Sequence, residues 1–168
     1  MRKIGEKVVY CSYGVMEIVD VREERFLDAV KKYYVLEPAG LRSASQTFVP
    51  VDNELLVSKM RPLLTKEEAV ELIKNMDKIP DADWVDDNRA RAEHFKAIVE
   101  TGDREKMIGM IKLVTKTGKR REAEGKKNYL ADENVMHKAQ KLLYSELSIV
   151  LSIDESEIPD FIESEKNK

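Results

Sequence analysis

Apolar and polar positions follow two different periods along this chain, and the change between them is abrupt. Up to about Val51 the apolar residues alternate or cluster in short β-branched runs, as in strands that bury one face. From Thr65 onward they recur every three or four positions, as in amphipathic helices. The pattern predicts an α+β chain with a small β domain over residues 1–64 and an all-α domain over residues 65–168, joined around Met60, Arg61 and Pro62.

Residues 7–10 form the first predicted strand, and Ser12, Tyr13 and Gly14 the turn after it, where Gly14 is free to take positive φ. Residues 15–21 form the second, and the charged stretch from Arg22 to Asp28 predicts an exposed hairpin end. The third covers residues 33–36 and is broken by Pro38, Ala39 and Gly40. The fourth covers residues 47–51; Pro50 has no N–H for a ladder, so this strand is expected at a sheet edge or ending at that residue. Short strands with close turns predict a small, strongly bent barrel of the SH3 or Tudor kind. A body of roughly 60 residues buries only about 60% of its chain surface. Such a domain is expected to lean on barrel closure, a neighbour or a partner.

In the second half, Thr65 with Glu68 three residues on is a capping box, and Ala69, Val70, Ile73 and Met76 supply the apolar stripe behind it. Ile79 and Pro80 end that helix. Asp81 or Asp83 is expected to cap the next, which runs through Trp84, Ala92, Phe95, Ile98 and Val99. Thr101, Gly102 and Asp103 read as a stop followed at once by a new cap. Met107, Ile108, Ile111 and Val114 form the third stripe, and Gly118 and Gly125 bracket a basic, polar segment. Asp132 is expected to cap a long helix carrying Met136, Ala139, Leu143, Leu147 and Val150, with a short helix near Phe161 after it.

Composition then narrows the function. Charged residues make up 36% of the chain, which suits a helical module with a large wetted surface. A net charge of −3 argues against a protein that coats nucleic acid nonspecifically, while leaving room for local basic patches. No apolar stretch approaches the roughly 18 residues of a membrane span, the first residues lack the apolar core of a signal peptide, and Cys11 stands alone. A cytoplasmic protein, monomeric by default, is expected. His94 and His137 are the only histidines and fall on different predicted helices; no Cys/His cluster, phosphate-binding loop or dinucleotide fingerprint is present. No catalytic centre, metal or cofactor is therefore expected, and the chemistry to look for is recognition by two surfaces.

Three features are candidates for it. The strand holding Thr47, Phe48, Val49 and Pro50 would template pairing with another protein's strand if it ends a sheet, with Phe48 either as its apolar anchor or as part of the barrel core. Trp84, the lone tryptophan, is either a recognition residue or the closure of one end of the helical core. In residues 116–127, Lys116, Lys119, Arg120, Arg121, Lys126 and Lys127 outnumber Glu122 and Glu124. That run is either a phosphate-binding patch, extended by Arg89 and Arg91, or a solvated loop.

The order of several motifs resembles the CarD family. Residues 4–10 (Ile-Gly-Glu-Lys-Val-Val-Tyr), Gly14 and residues 33–36 are similar to its N-terminal half. Phe48, Val49, Pro50, Val51, Asp52 and Asn53, followed by Met60, Arg61, Pro62 and Leu63, resemble its most recognisable stretch. Trp84, the Gly102-Asp103 break and residues 139–147 are similar to its helical half. The resemblance implies a bacterial transcription regulator whose Tudor-like N-terminal domain, a module shared with the transcription-repair coupling factor, docks on the RNA polymerase β subunit partly by strand pairing. Thr47, Phe48, Val49 and Pro50 match that surface. It further implies that the helical domain meets promoter DNA at the upstream edge of the melted bubble. There Trp84 wedges into the minor groove, and Arg89, Arg91, Lys119, Arg120 and Arg121 lie on the phosphates.

Two departures stand out. Cys11 and Tyr13 occupy a first turn where the family commonly has proline and histidine, and Asp81, Asp83, Asp86 and Asp87 surround Trp84, where they would repel a phosphate backbone. The alternative expectation is therefore a protein-only adaptor that binds polymerase or another partner without touching DNA. Tethering to polymerase would allow a protein of weak intrinsic DNA affinity to act at a promoter.

Overall fold

The computed structural model describes residues 1–26, 29–40 and 45–168. The chain divides into two compact units, Met1–Leu63 and Leu64–Lys168.

The first unit is a five-stranded antiparallel sheet formed by β1 (Lys7–Tyr10), β2 (Val15–Phe26), β3 (Ala29–Pro38), β4 (Thr47–Pro50) and β5 (Met60–Pro62), in the order β4-β3-β2-β1-β5. Gly14 turns β1 into β2 at φ 80°. Val8, Tyr10, Met16, Ile18, Tyr34, Leu36, Val49 and Met60 alternate inward and form the core, with Leu56 and Val57 of helix α1 (Glu54–Ser58) packed on it. A register shift between Ile18 and Asp20 lets the long β2–β3 ribbon bend.

The expected α+β class holds. Beyond the fourth predicted strand the local pattern was silent. Met60–Pro62, read as a join, is instead a strand paired with β1, and α1 is capped by Asn53, whose side chain accepts from the Leu56 N–H. Asp28, at the expected hairpin tip, lies outside the described residues.

The second unit is all helical: α2 (Lys66–Asn75), α3 (Asn88–Thr101), α4 (Arg104–Ala123), α5 (Leu130–Leu151) and α6 (Ile158–Lys166). The Thr65–Glu68 capping box opens α2, and Gly102, at φ 63°, ends α3 in the left-handed conformation that glycine adopts without strain. Ala69, Ile73, Phe95, Met107, Met110, Ala139, Leu143, Leu147 and Ile158 are among the core residues.

Three expectations are corrected here. The helix after Pro80 is capped by Asp87, through the Ala90 N–H, rather than by Asp81 or Asp83. Trp84 thus lies in a non-helical strap, residues 79–87. The basic run is a loop only at its end, because α4 continues through Gly118 to Ala123 and only residues 124–127 lie beyond it. A glycine inside a helix costs only about 1 kcal/mol, and at Gly118 it leaves room for the Asn128 side chain, 3.2 Å from where a Cβ would sit. Asp132 is not a cap either: α5 starts three residues earlier, after Tyr129, and Asp132 turns inward.

Candidate functional site

The β4 surface is built from both faces of one short strand. Val49 points into the core, and Phe48 lies on the opposite face, directly across from Val35 of β3, where it remains half-exposed. Residues opposite each other in an antiparallel pair share a face. Phe48 meets Tyr33 edge-on, with ring centroids 6.2 Å apart and planes at 82°. The guanidinium of Arg22 sits 5.6 Å from the Phe48 centroid, held by Glu24 at 2.6 Å and Asp20 at 3.4 Å. Phe48 is not part of the core cluster that holds Val49; it shares its face with the buried Val35. Thr47 and Pro50 are half-buried at the ends of the same strand. A strand that ends a sheet is a template for an added strand, and here an aromatic and cationic cluster lies beside it. Tyr33 and Arg22 join the surface only through the register, which no local pattern reveals.

The helical surface centres on a stack of four side chains. The Arg91 guanidinium lies 4.2 Å from the Trp84 ring centroid and 4.5 Å from that of Tyr129. Arg121 lies 4.0 Å from the Tyr129 centroid and donates to its hydroxyl at 3.1 Å. The order is Trp84, Arg91, Tyr129, Arg121. Each cation over a ring is worth about 0.5–2 kcal/mol, the larger value where water is excluded. The Trp84 indole N–H donates to Asp86 at 3.0 Å, leaving the ring half-buried.

Arg91 itself is buried. Its Nε donates to Asp132 at 2.8 Å, one Nη to the carbonyls of Val85 and Asp86, and the other to Asn88. It therefore cannot lie on a phosphate as expected; it holds Trp84 and the strap from beneath. Arg89, Lys119 and Arg120 are exposed, with no ion pair among the described residues. Arg121 is half-buried, spending its fork on Tyr129 and the Lys127 carbonyl. Through Tyr129 the fold brings the basic end of α4 to Trp84, although the two lie far apart in sequence. Tyr129 carried no sequence signal, because its partners come from α3, α4 and the strap.

The acids around Trp84 are largely occupied. Asp87 caps α3, Asp86 holds the indole, and Asp81 pairs with Lys116 at 2.6 Å and Lys112 at 3.5 Å. The hydrogen bond from Lys116 holds the Asp81 carboxyl below its usual range. Its ionised, paired form is thus complete above the ordinary aspartate pKa and is lost only as pH falls through the lowered value. An NMR titration is expected to place the Asp81 midpoint below that of a free aspartate; an unshifted midpoint would show the pair absent in solution.

Residues 3–63 match the family described as CarD-like/TRCF RID domain. That description is of a Tudor-like, RNA polymerase-interacting domain, and the match covers less than half of the chain. The resemblance read from residues 4–10, 33–36, 48–53 and 60–63 falls within this match, which ends at residue 63, before the helical unit. No curated protein matches the chain. Among the described residues, no helix is long and apolar enough to cross a membrane, and no group of three or more His, Cys, Asp or Glu could hold a metal ion.

Proposed function

We propose that this protein is a transcription regulator that docks on the β subunit of RNA polymerase through β4 and stabilises the promoter open complex through Trp84. The observation that carries the first half is the match of residues 3–63 to a polymerase-interacting domain whose terminal strand is β4. Strand addition along Thr47, Phe48, Val49 and Pro50 would supply backbone hydrogen bonds, and Phe48, beside Tyr33 and Arg22, the side-chain anchor. The second half rests on the stack: a half-buried indole backed by a guanidinium, with exposed Arg89, Lys119 and Arg120 available for phosphates. An apolar wedge offsets a few kcal/mol of base unstacking with new contact. The factor need favour the melted promoter by only about 1.4 kcal/mol to shift that equilibrium tenfold.

One observation favours the adaptor reading instead: the indole N–H already bonds a carboxylate, Asp86, next to exposed Asp83. The two readings part in one experiment on the full chain with purified polymerase and a promoter fragment. Phe48→Glu is expected to weaken polymerase binding by about 2 kcal/mol or more, at least thirtyfold in Kd. Trp84→Ala is expected to leave that binding unchanged and to shorten the open-complex lifetime about tenfold. An unchanged lifetime with intact binding would reject the wedge and leave the adaptor; unchanged binding by Phe48→Glu would reject β4 as the docking strand.

A further inference from the structure

The strap that carries Trp84 touches α4 almost backbone to backbone. A Cβ built on Gly109 would lie 2.5 Å from the carbonyl oxygen of Pro80 and 3.3 Å from the nitrogen of Ala82, so only glycine fits beneath the strap. The Ala82 N–H donates to the Gly109 carbonyl at 3.1 Å. One turn on, the Lys112 ammonium donates to the Ile79 carbonyl and, at 3.1 Å, to that of Asp77. One turn further, Lys116 pairs with Asp81 at 2.6 Å. Gly109, Lys112 and Lys116 share one helical face. Toward α3, by contrast, the strap borders a cavity of about 470 Å³ lined by Ile79, Pro80, Ala82, His94, Ala97 and Ile98 among others. On that side α3 holds the strap only further along, where Arg91 donates to the carbonyls of Val85 and Asp86, and residues 79–82 face the cavity.

We propose that Gly109, Lys112 and Lys116 are positioning residues, a fastening strip on α4 that sets the height and aim of Trp84. The proposal rests on the reading of Trp84 as the DNA contact for its biological meaning, but not for its test. The strip touches no partner itself. It acts by holding residues 79–82 in one register along the helix, so that Trp84, two residues beyond, meets the Arg91 guanidinium rather than swinging over the cavity.

Trp84 is the lone tryptophan, so emission and acrylamide quenching of the full chain report its place alone. Gly109→Ala is expected to red-shift the emission and raise quenching while far-UV circular dichroism is retained. Gly118→Ala is the same chemical change in the same helix but meets only the Asn128 side chain, and it should leave both signals unchanged. Should Gly109→Ala fail to fold, the double variant Lys112→Ala, Lys116→Ala decides, because Lys116 is largely exposed and its loss opens no core. It is expected to show the same red shift, with Lys116→Arg in the Lys112→Ala background restoring part of it. Emission and quenching unchanged in the double variant, and in Gly109→Ala where that folds, would overturn the proposal. A shifted emission with an undiminished open-complex lifetime would support the positioning and reject the DNA role of Trp84.

Discussion

Arg91→Ala is expected to destabilise the helical unit by about 3–5 kcal/mol, the range found when one partner of a buried ion pair is removed. The side chains of Arg91 and Asp132 are only 1% and 5% exposed. Truncation leaves the Asp132 carboxylate inside the unit without its cation and the carbonyls of Val85 and Asp86 without their donor. It also empties the space between the Trp84 and Tyr129 rings. Arg91→Lys is expected to recover only part of this, since a single ammonium cannot span Asp132, two carbonyls and Asn88 as a planar fork does. Replacing both partners together, Arg91→Met with Asp132→Leu, should return most of the stability, because an apolar pair strands no charge. It should not return the native Trp84 emission, because the stacked cation is gone. Urea unfolding followed by circular dichroism measures the first effect and emission the second; an Arg91→Ala midpoint equal to that of the unaltered chain would show that the ion pair does not form.

Arg91 also marks where the reading from sequence stopped. Its own neighbourhood, in a run of charged residues after four aspartates, looks like a solvated helix face. What buries it lies 41 residues away, on the first turn of α5. No local periodicity encodes that partner. The same holds for β5, three residues whose only strand signal is pairing with β1 some fifty residues earlier. Features written locally were legible: the Thr65 capping box, the Gly102 stop followed by the Asp103 cap, and Pro50 at the end of a terminal strand. Where several residues can play one local role, tertiary contacts decide among them. Asp81, Asp83 and Asp87 can all cap a helix, and the strap's ties to α4 decide for Asp87. Gly118 reads as a break until Asn128 is seen packed against it. Phe48 was placed in the correct strand, but its face follows from the register with Val35, and that depends on residues 33–36 as much as on its own segment.

Arg104→Ala is expected to cost a similar amount, about 3–5 kcal/mol, but to leave Trp84 where it is. Arg104 grips Glu146 with two bonds, at 2.8 Å and 2.6 Å, and Glu146 in turn accepts the N–H of Leu64, the first residue of the helical unit, at 3.2 Å. The pair is lopsided: the side chain of Glu146 is 4% exposed and that of Arg104 16%. Losing the arginine strands a buried carboxylate with one backbone donor, whereas Glu146→Gln leaves a guanidinium that still reaches water and an amide oxygen that still accepts. Glu146→Gln should therefore cost less, on the order of 1–3 kcal/mol. The opposite ranking, read from urea midpoints, would show that the carboxylate is not the stranded partner. The pair also serves as the control for Arg91. Both variants break a buried ion pair anchored on α5, yet only Arg91 touches the indole. A red shift in folded Arg104→Ala would mean that damage anywhere in the helical core reaches the strap. Trp84 would then be aimed by the core as a whole rather than by Arg91 and the face of α4.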